Sequence, residues 1–226
     1  MGVGAAIGGS LPFALGVAIS PIPIIAVVLL LTTRRARVNG TVFIAGWLAG
    51  LAAVGAIALS IADPADASSS GAPATWVNWL KVALGAALIL VAALQFRGRP
   101  GKGDRVELPK WLARVDDIKP VPAAGLGVLT GLNPKNLLLA AGAAAEIAQT
   151  GISVAEQAIA YAVFALVGTL GVGTPVGIYF AMGARSEKPL SELKDWMAQN
   201  NAVIMAIICL IFGVKLIGDA ITGLTA

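Results

Sequence analysis

Apolar residues run through the chain in long blocks, with neither the strict alternation of a strand nor the narrow seam of a coiled coil. A helix needs about 20 mostly apolar residues to cross the hydrocarbon core of a bilayer. Six stretches reach that length: about 10–32, 40–62, 76–96, 121–145, 153–182 and 200–222. The pattern predicts an all-α membrane protein with six transmembrane helices in a single transmembrane domain over residues 1–226. The fifth stretch carries Gly-Val-Gly-Thr-Pro at 171–175, which predicts a kink or an unwound turn. Before Arg34 the chain has no basic residue, so the first stretch does not read as a cleaved signal peptide.

One block interrupts its own pattern. Between about Val121 and Ala145 the chain reads Thr130-Gly-Leu-Asn-Pro-Lys-Asn-Leu-Leu-Leu-Ala140, with a lysine, a proline and two asparagines mid-run. In lipid each of these is costly unless a neighbour satisfies it. Composition sharpens the point. Charged residues make up 12% of the chain and hydrophobic residues 58%, against about 25% charged in soluble domains. Too little charge remains to cover a soluble surface.

The charges are placed unevenly. Thirteen of the sixteen Lys and Arg residues fall in alternate connections: Arg34 to Arg37, Arg97 to Lys119, and Arg185 to Lys194. The other two connections carry Asp63, Asp66, Glu146 and Glu156 and no basic residue. By the positive-inside rule the basic connections face the cytoplasm and both termini lie outside. The basic excess therefore reads as a topology signal, and nucleic acid is not an expected partner. The connection 97–120 alternates charge sign and can hold a short amphipathic piece around Trp111.

Three lysines remain, all within apolar stretches. Lys81 lies beside Trp76 and Trp79 and is expected to snorkel to the headgroups. Lys215 precedes Asp219 by four residues, the spacing of a helical ion pair. Lys135 has neither outlet. It sits too deep to snorkel, and an ionisable residue at that depth is a functional candidate.

A weak repeat relates the two halves. Shifting the first half by 111 residues lays Gly16 on Gly127, Val17 on Val128 and Pro23 on Pro134. Three helices per half would give the halves opposite orientations, the arrangement of inverted-repeat transporters. Repeat 1 spans about 10–96, the cytoplasmic loop about 97–120 and repeat 2 about 121–222. Pro21, Pro23 and Pro134 each free a carbonyl one turn back. Ser20, Asn133 and Asn136 can bond to such groups, and Lys135 adds positive charge. These residues are expected to line one polar cavity at mid-membrane depth. The pairs Gly46/Gly50, Gly127/Gly131 and Gly173/Gly177 have a spacing that permits close helix approach.

With six helices, Ser-Pro-Ile-Pro at 20–23 and Gly-Leu-Asn-Pro-Lys-Asn at 131–136, the chain resembles the lysine-exporter superfamily over nearly its whole length. Within that superfamily it is most similar to the GAP family of sulfolipid- or glycolipid-addressing proteins. Many superfamily relatives carry Pro-Gly-Pro in helix 1; here Ile22 stands in the place of the glycine. The resemblance implies export of cell-envelope glycolipids across a bacterial plasma membrane, beside a larger lipid transporter. Membrane lipids or glycolipids are then the expected substrate and partner, and a homodimer is a further expectation.

Other classes are weaker. An amino acid or cation exporter of the same superfamily is the alternative, but a cationic substrate sits badly beside a charged Lys135. A scaffold within an envelope assembly is a third class. The chain has no His, and no carboxylate is expected at mid-membrane depth, so acid–base enzyme chemistry lacks its usual groups. No cofactor or metal site is expected. The lone Cys209, within Ile207-Ile-Cys-Leu-Ile211, reads as a buried apolar residue.

Overall fold

The computed structural model describes residues 2–61, 75–99 and 118–225, and these are overwhelmingly helical, without strands. Eight α-helices follow in order: α1 (Val3–Ala18), α2 (Pro21–Leu31), α3 (Ala36–Ile61), α4 (Thr75–Arg97), α5 (Pro120–Gly131), α6 (Pro134–Ala148), α7 (Val154–Met182) and α8 (Glu187–Thr225). Asp63, Asp66 and the piece expected around Trp111 lie outside the described residues.

Proline explains both interruptions. The first apolar stretch breaks at Ile19 and Ser20, and α2 leaves α1 at a bend of 55°. The fourth breaks at Leu132 and Asn133. Pro21 and Pro134 each open the following helix, a position where a missing N–H costs nothing. The residue before each proline, Ser20 or Asn133, is extended (ψ 107° and 152°), as steric contact with the proline ring requires. The shift of 111 paired Pro23 with Pro134, but in the fold Pro21 occupies the equivalent place.

By length and composition, α3, the stretch Trp76–Arg97 and the helical run Val154–Thr225 can cross a membrane, and the bent α1–α2 pair makes a fourth candidate. The protein is therefore a helical, multi-pass membrane protein. The run 154–225 includes a short 3-10 turn at Gly183–Ser186, entered through a left-handed glycine, Gly183 (φ 56°). Gly171 packs on Ala18 and Phe212 packs on Gly16. Residues 41 apart thus meet the same end of α1, although a straight helix would separate them by roughly 60 Å. The run folds back on itself.

Two expectations about these helices are corrected. No unwound turn appears at 171–175, because α7 runs unbroken through Pro175. One proline removes one hydrogen bond, and neighbouring helices in a membrane bundle tolerate that loss. The basic stretch before residue 200 is not a simple loop: α8 begins at Glu187, so Lys188 and Lys194 are helical.

The packing pairs include α3 with α5, α1 with α7, α4 with α8, α1 with α6, α2 with α8 and α4 with α6. Exchanging α1–α4 for α5–α8 in that series returns α7 with α1, α3 with α5, α8 with α4, α5 with α2, α6 with α4 and α8 with α2, and α2 does touch α5.

Glycines set the closest approaches. A Cβ at Gly46 would stand 2.0 Å from the Ala124 carbonyl oxygen, and one at Gly127 would stand 2.1 Å from that of Phe43. The pairs Gly46/Gly50 and Gly127/Gly131 thus face each other across α3 and α5. Gly85 and Gly213 do the same between α4 and α8, each within 2.8 Å of the other's carbonyl oxygen once a Cβ is added. Gly173 and Gly177 meet no such neighbour, although they share the spacing. Lipid offers no hydrophobic drive for helix association, so close van der Waals contact of this kind holds the bundle.

Candidate functional site

The two helix breaks lie side by side. Pro21 and Pro134 each free a carbonyl, and the sequence supplies a donor for each. Pro21 frees Val17, whose oxygen is 2.6 Å from Ser20 Oγ. Pro134 frees Thr130, whose oxygen accepts from Asn133 Nδ2 at 2.8 Å and from Asn136 Nδ2 at 3.2 Å. The Gly16 carbonyl, buried near the end of α1, accepts from Lys135 Nζ at 2.7 Å.

Ser20 joins the breaks directly, since its Oγ also lies 2.9 Å from Asn136 Oδ1. Its single proton serves Val17 or Asn136 at one time. Asn133 caps α6, its Oδ1 accepting from the Asn136 backbone N–H at 3.0 Å. The Val17, Thr130 and Gly16 carbonyls, costly in lipid if left unpaired, are thus satisfied within the protein.

Burial divides the residues expected at the site. Ser20, Pro21, Pro23, Lys135 and Asn136 are buried, Lys135 at 1% exposure, whereas Asn133 is half-buried and Pro134 exposed. Among the described residues Lys135 pairs with no carboxylate. The carbonyls at the junction are taken by Lys135, Ser20 and the asparagines, and Lys135 is the one ionisable side chain among them. The α6 N-terminus adds partial positive charge, because Lys135 sits in the first turn.

Asn133 and Thr130 form the polar end of a groove of 690 Å³ whose other walls are Ile22, Ile118, Pro122, Gly125, Leu126 and Leu129. Ser20 does not reach this groove; it stands behind, joined through Asn136. The single expected cavity is therefore a buried polar junction with an apolar groove beside it. Ile22, between Pro21 and Pro23, contributes an apolar wall. Trp47 packs on Gly131 and is fully buried, and its Nε1–H has no acceptor among the described residues.

Of a second cluster, sequence reasoning found the Lys215–Asp219 pair and missed the rest. Lys81 does not snorkel: it is 2% exposed, lies 2.9 Å from Glu146 Oε1 and bonds to Gln149 Oε1. Lys215 pairs with Asp219, at the expected spacing, and also approaches Glu146 Oε1 at 3.4 Å. Glu146 belongs to α6 rather than to a loop, and its side chain is 17% exposed. A carboxylate therefore stands within the bundle, but near the end of α6, eleven residues from Lys135, and not beside the helix breaks. The available signal was the spacing Lys135 to Glu146 in one helix: the apolar run does not end where its first acidic residue appears. Cys209 is buried, as expected.

A helical, multi-pass membrane protein with a broken-helix polar junction is the class that fold and site define. Residues 11–222 match the family described as Sap, sulfolipid-1-addressing protein, and the chain belongs to that family. No curated protein and no solved structure matches it significantly.

Proposed function

We propose that the protein takes part in export or translocation of an anionic or sugar-bearing envelope lipid, with the headgroup handled at the junction of the two helix breaks. The observation that carries this reading is Lys135: a buried lysine with no carboxylate partner among the described residues, next to a groove lined almost wholly by apolar side chains. A lipid has both matching parts. The acyl chain suits the groove along α5, and the headgroup suits Asn133 and Lys135 behind it. The family description, with its reference to sulfolipid-1 addressing, supports a lipid whose headgroup is anionic. The alternative, an amino acid or cation exporter, loses ground because no described carboxylate faces the junction.

The architecture we propose is two inverted three-helix repeats in six spans, each opening with a broken helix. The helix exchange that returns the same packing pairs supports it, as does the return of the 154–225 run to the end of α1. This is the plan of the lysine-exporter superfamily, with the substrate site between interrupted helices. The basic connections would then face the cytoplasm, and both termini the outside. A reporter active only in the cytoplasm, fused after Ala226, should be silent; strong activity would refute this orientation. The chemistry at the junction is binding and release rather than catalysis, and larger envelope transporters or a second copy of the chain are proposed partners.

The direct test compares envelope lipids from cells with and without the protein. Loss of one anionic or glycosylated lipid class from the outer surface, with its accumulation inside, is the expected result. An unchanged lipid profile together with an altered amino acid or cation efflux would favour the alternative.

A further inference from the structure

The cluster that links α4, α6 and α8 lies away from the helix breaks, and the proposed lipid path does not use its charges. Glu146 Oε1 stands between Lys81 on α4 and Lys215 on α8, at 2.9 and 3.4 Å. Asp219 holds Lys215 from the next turn of α8. Gln149 bonds to Lys81 and, through Nε2 at 3.0 Å, to Asn78 Oδ1. Asn78 in turn borders Gly223 near the end of α8. The fourth wall is α1, where Gly9 faces Glu146 and the Phe13 ring lies 5.1 Å from Lys215 Nζ. Charged and polar side chains therefore clasp one end of the bundle, the end where α6 and α8 finish and α1 and α4 start.

The clasp differs in kind from the other helix contacts. Elsewhere helices meet by glycine against backbone, as at Gly85 and Gly213. Such contacts are rigid and cannot part without exposing packed backbone. The clasp is made of side-chain ends on long flexible stems. A permanent tie of this sort is poor economy inside a membrane, since apolar packing of the same volume is commonly as stable or more so. A tie that must open and close is a different matter, because ion pairs re-form in water without moving the backbone.

One rigid element connects this clasp to the proposed site. α6 carries Lys135 in its first turn and Glu146 eleven residues later, about 16 Å along the axis. Between them lie Leu139, which packs on Gly16, and Gly142, which packs on Phe13. Phe13 and Phe212 meet at 5.1 Å, and Phe212 also packs on Gly16 beside the junction.

We infer that Lys81, Glu146, Lys215 and Asp219 form the gate on the outer side of the proposed midplane site, shut in this structure, with α6 coupling its opening to events at Lys135. The inference rests on the proposed orientation and on the transport reading. Opening means that Glu146 leaves Lys81 and Lys215, so that α6 can part from the α4–α8 pair.

The test reads accessibility and needs no substrate. In a Cys209→Ser background, Leu139→Cys places a thiol between the junction and the clasp, where the native side chain is fully buried. A membrane-impermeant maleimide is added to intact cells. Glu146→Gln should raise the labelling rate at that thiol about fivefold or more, the lower range of typical site-to-site coupling. Because Glu146→Gln leaves Lys81 buried without its carboxylate and can cost abundance, Glu146→Leu with Lys81→Met is run beside it; it removes the charges together and should show the same rise. Labelling unchanged in whichever variants reach normal abundance overturns the gate. As a second arm, Lys81→Cys with Glu146→Cys is bridged by a short thiol reagent with a reducible spacer. Bridging should suppress labelling of the inner thiol, and reduction should restore it; equal labelling in both states also overturns the gate. If labelling behaves as expected while envelope lipids do not change, the gate stands and the choice of lipid as substrate fails.

Discussion

Gly127→Leu is expected to remove the protein from the membrane almost completely. A Cβ at this position would lie 2.1 Å from the Phe43 carbonyl oxygen and 2.8 Å from the Trp47 amide nitrogen. Both neighbours are α3 backbone, which cannot rotate away as a side chain can. Gly46 faces Ala124 at 2.0 Å across the same interface, so the two helices would have to separate along a full turn. Overpacking of ordinary cores costs about 1–3 kcal/mol; a backbone collision at a glycine seam belongs above that range, in the group of changes that unfold a marginal protein. Gly177→Leu is the matched control. It has the same spacing motif, is exposed and has no neighbour within 4 Å of a Cβ, so its abundance should stay normal. The comparison is read by quantitative blotting of membrane fractions and by thermal unfolding of the purified proteins. Similar abundance for the two variants would refute the seam.

The same pair shows how far the sequence could be read. Gly46/Gly50, Gly127/Gly131 and Gly173/Gly177 are indistinguishable as patterns. What separates them is the crossing point of α3 and α5, a tertiary fact that spacing does not carry. In α7 the glycine that meets another backbone is Gly171, whose Cβ would fall 1.8 Å from the Ala18 oxygen, and it lies outside the spacing motif. The helix breaks were more legible, because proline acts on the residues beside it whatever the tertiary context. Ser20, Asn133, Lys135 and Asn136 could be grouped from sequence for the same reason: each stands within three residues of a proline in an apolar run.

Beyond the Lys215–Asp219 pair the ionic cluster was not legible, and the cause is physical. Lys81 lies 65 residues before Glu146, and Lys215 lies 69 residues after it. A lysine near two tryptophans at the start of an apolar run looks the same in sequence whether it snorkels or turns inward. Only the position of α6 between α4 and α8 decides, and nothing local to Lys81 encodes that position. The extent of α6 was misread for a related reason. Glu146 lowers the apolar content of the run, so a count of hydrophobic residues ends the helix too early, although the buried pairing with Lys81 lets the helix continue through it.

Lys135→Met is expected to leave the protein at near-normal abundance and to abolish export. Two effects oppose each other in stability. The substitution leaves the Gly16 carbonyl without its 2.7 Å partner, a loss of about 1–3 kcal/mol for a buried acceptor. It also removes a buried charge that has no carboxylate among the described residues, which relieves several kcal/mol of desolvation. Methionine is unbranched and fills the volume of the lysine stem, so little cavity forms. The balance is near neutral for folding. For function nothing compensates, because no other described cation reaches the junction. Lys135→Arg separates charge from proton exchange: arginine stays protonated, so partial export would show that positive charge suffices, and complete loss would show that a releasable proton or the shape of the ammonium is required. The measurements are the outer-surface lipid profile in cells, membrane abundance, and the melting temperature of each purified variant. Normal export by Lys135→Met would remove the lysine from the mechanism. Loss of export together with loss of the protein from the membrane would make the lysine a structural tie between α6 and the end of α1, its bond to Gly16 being its whole contribution.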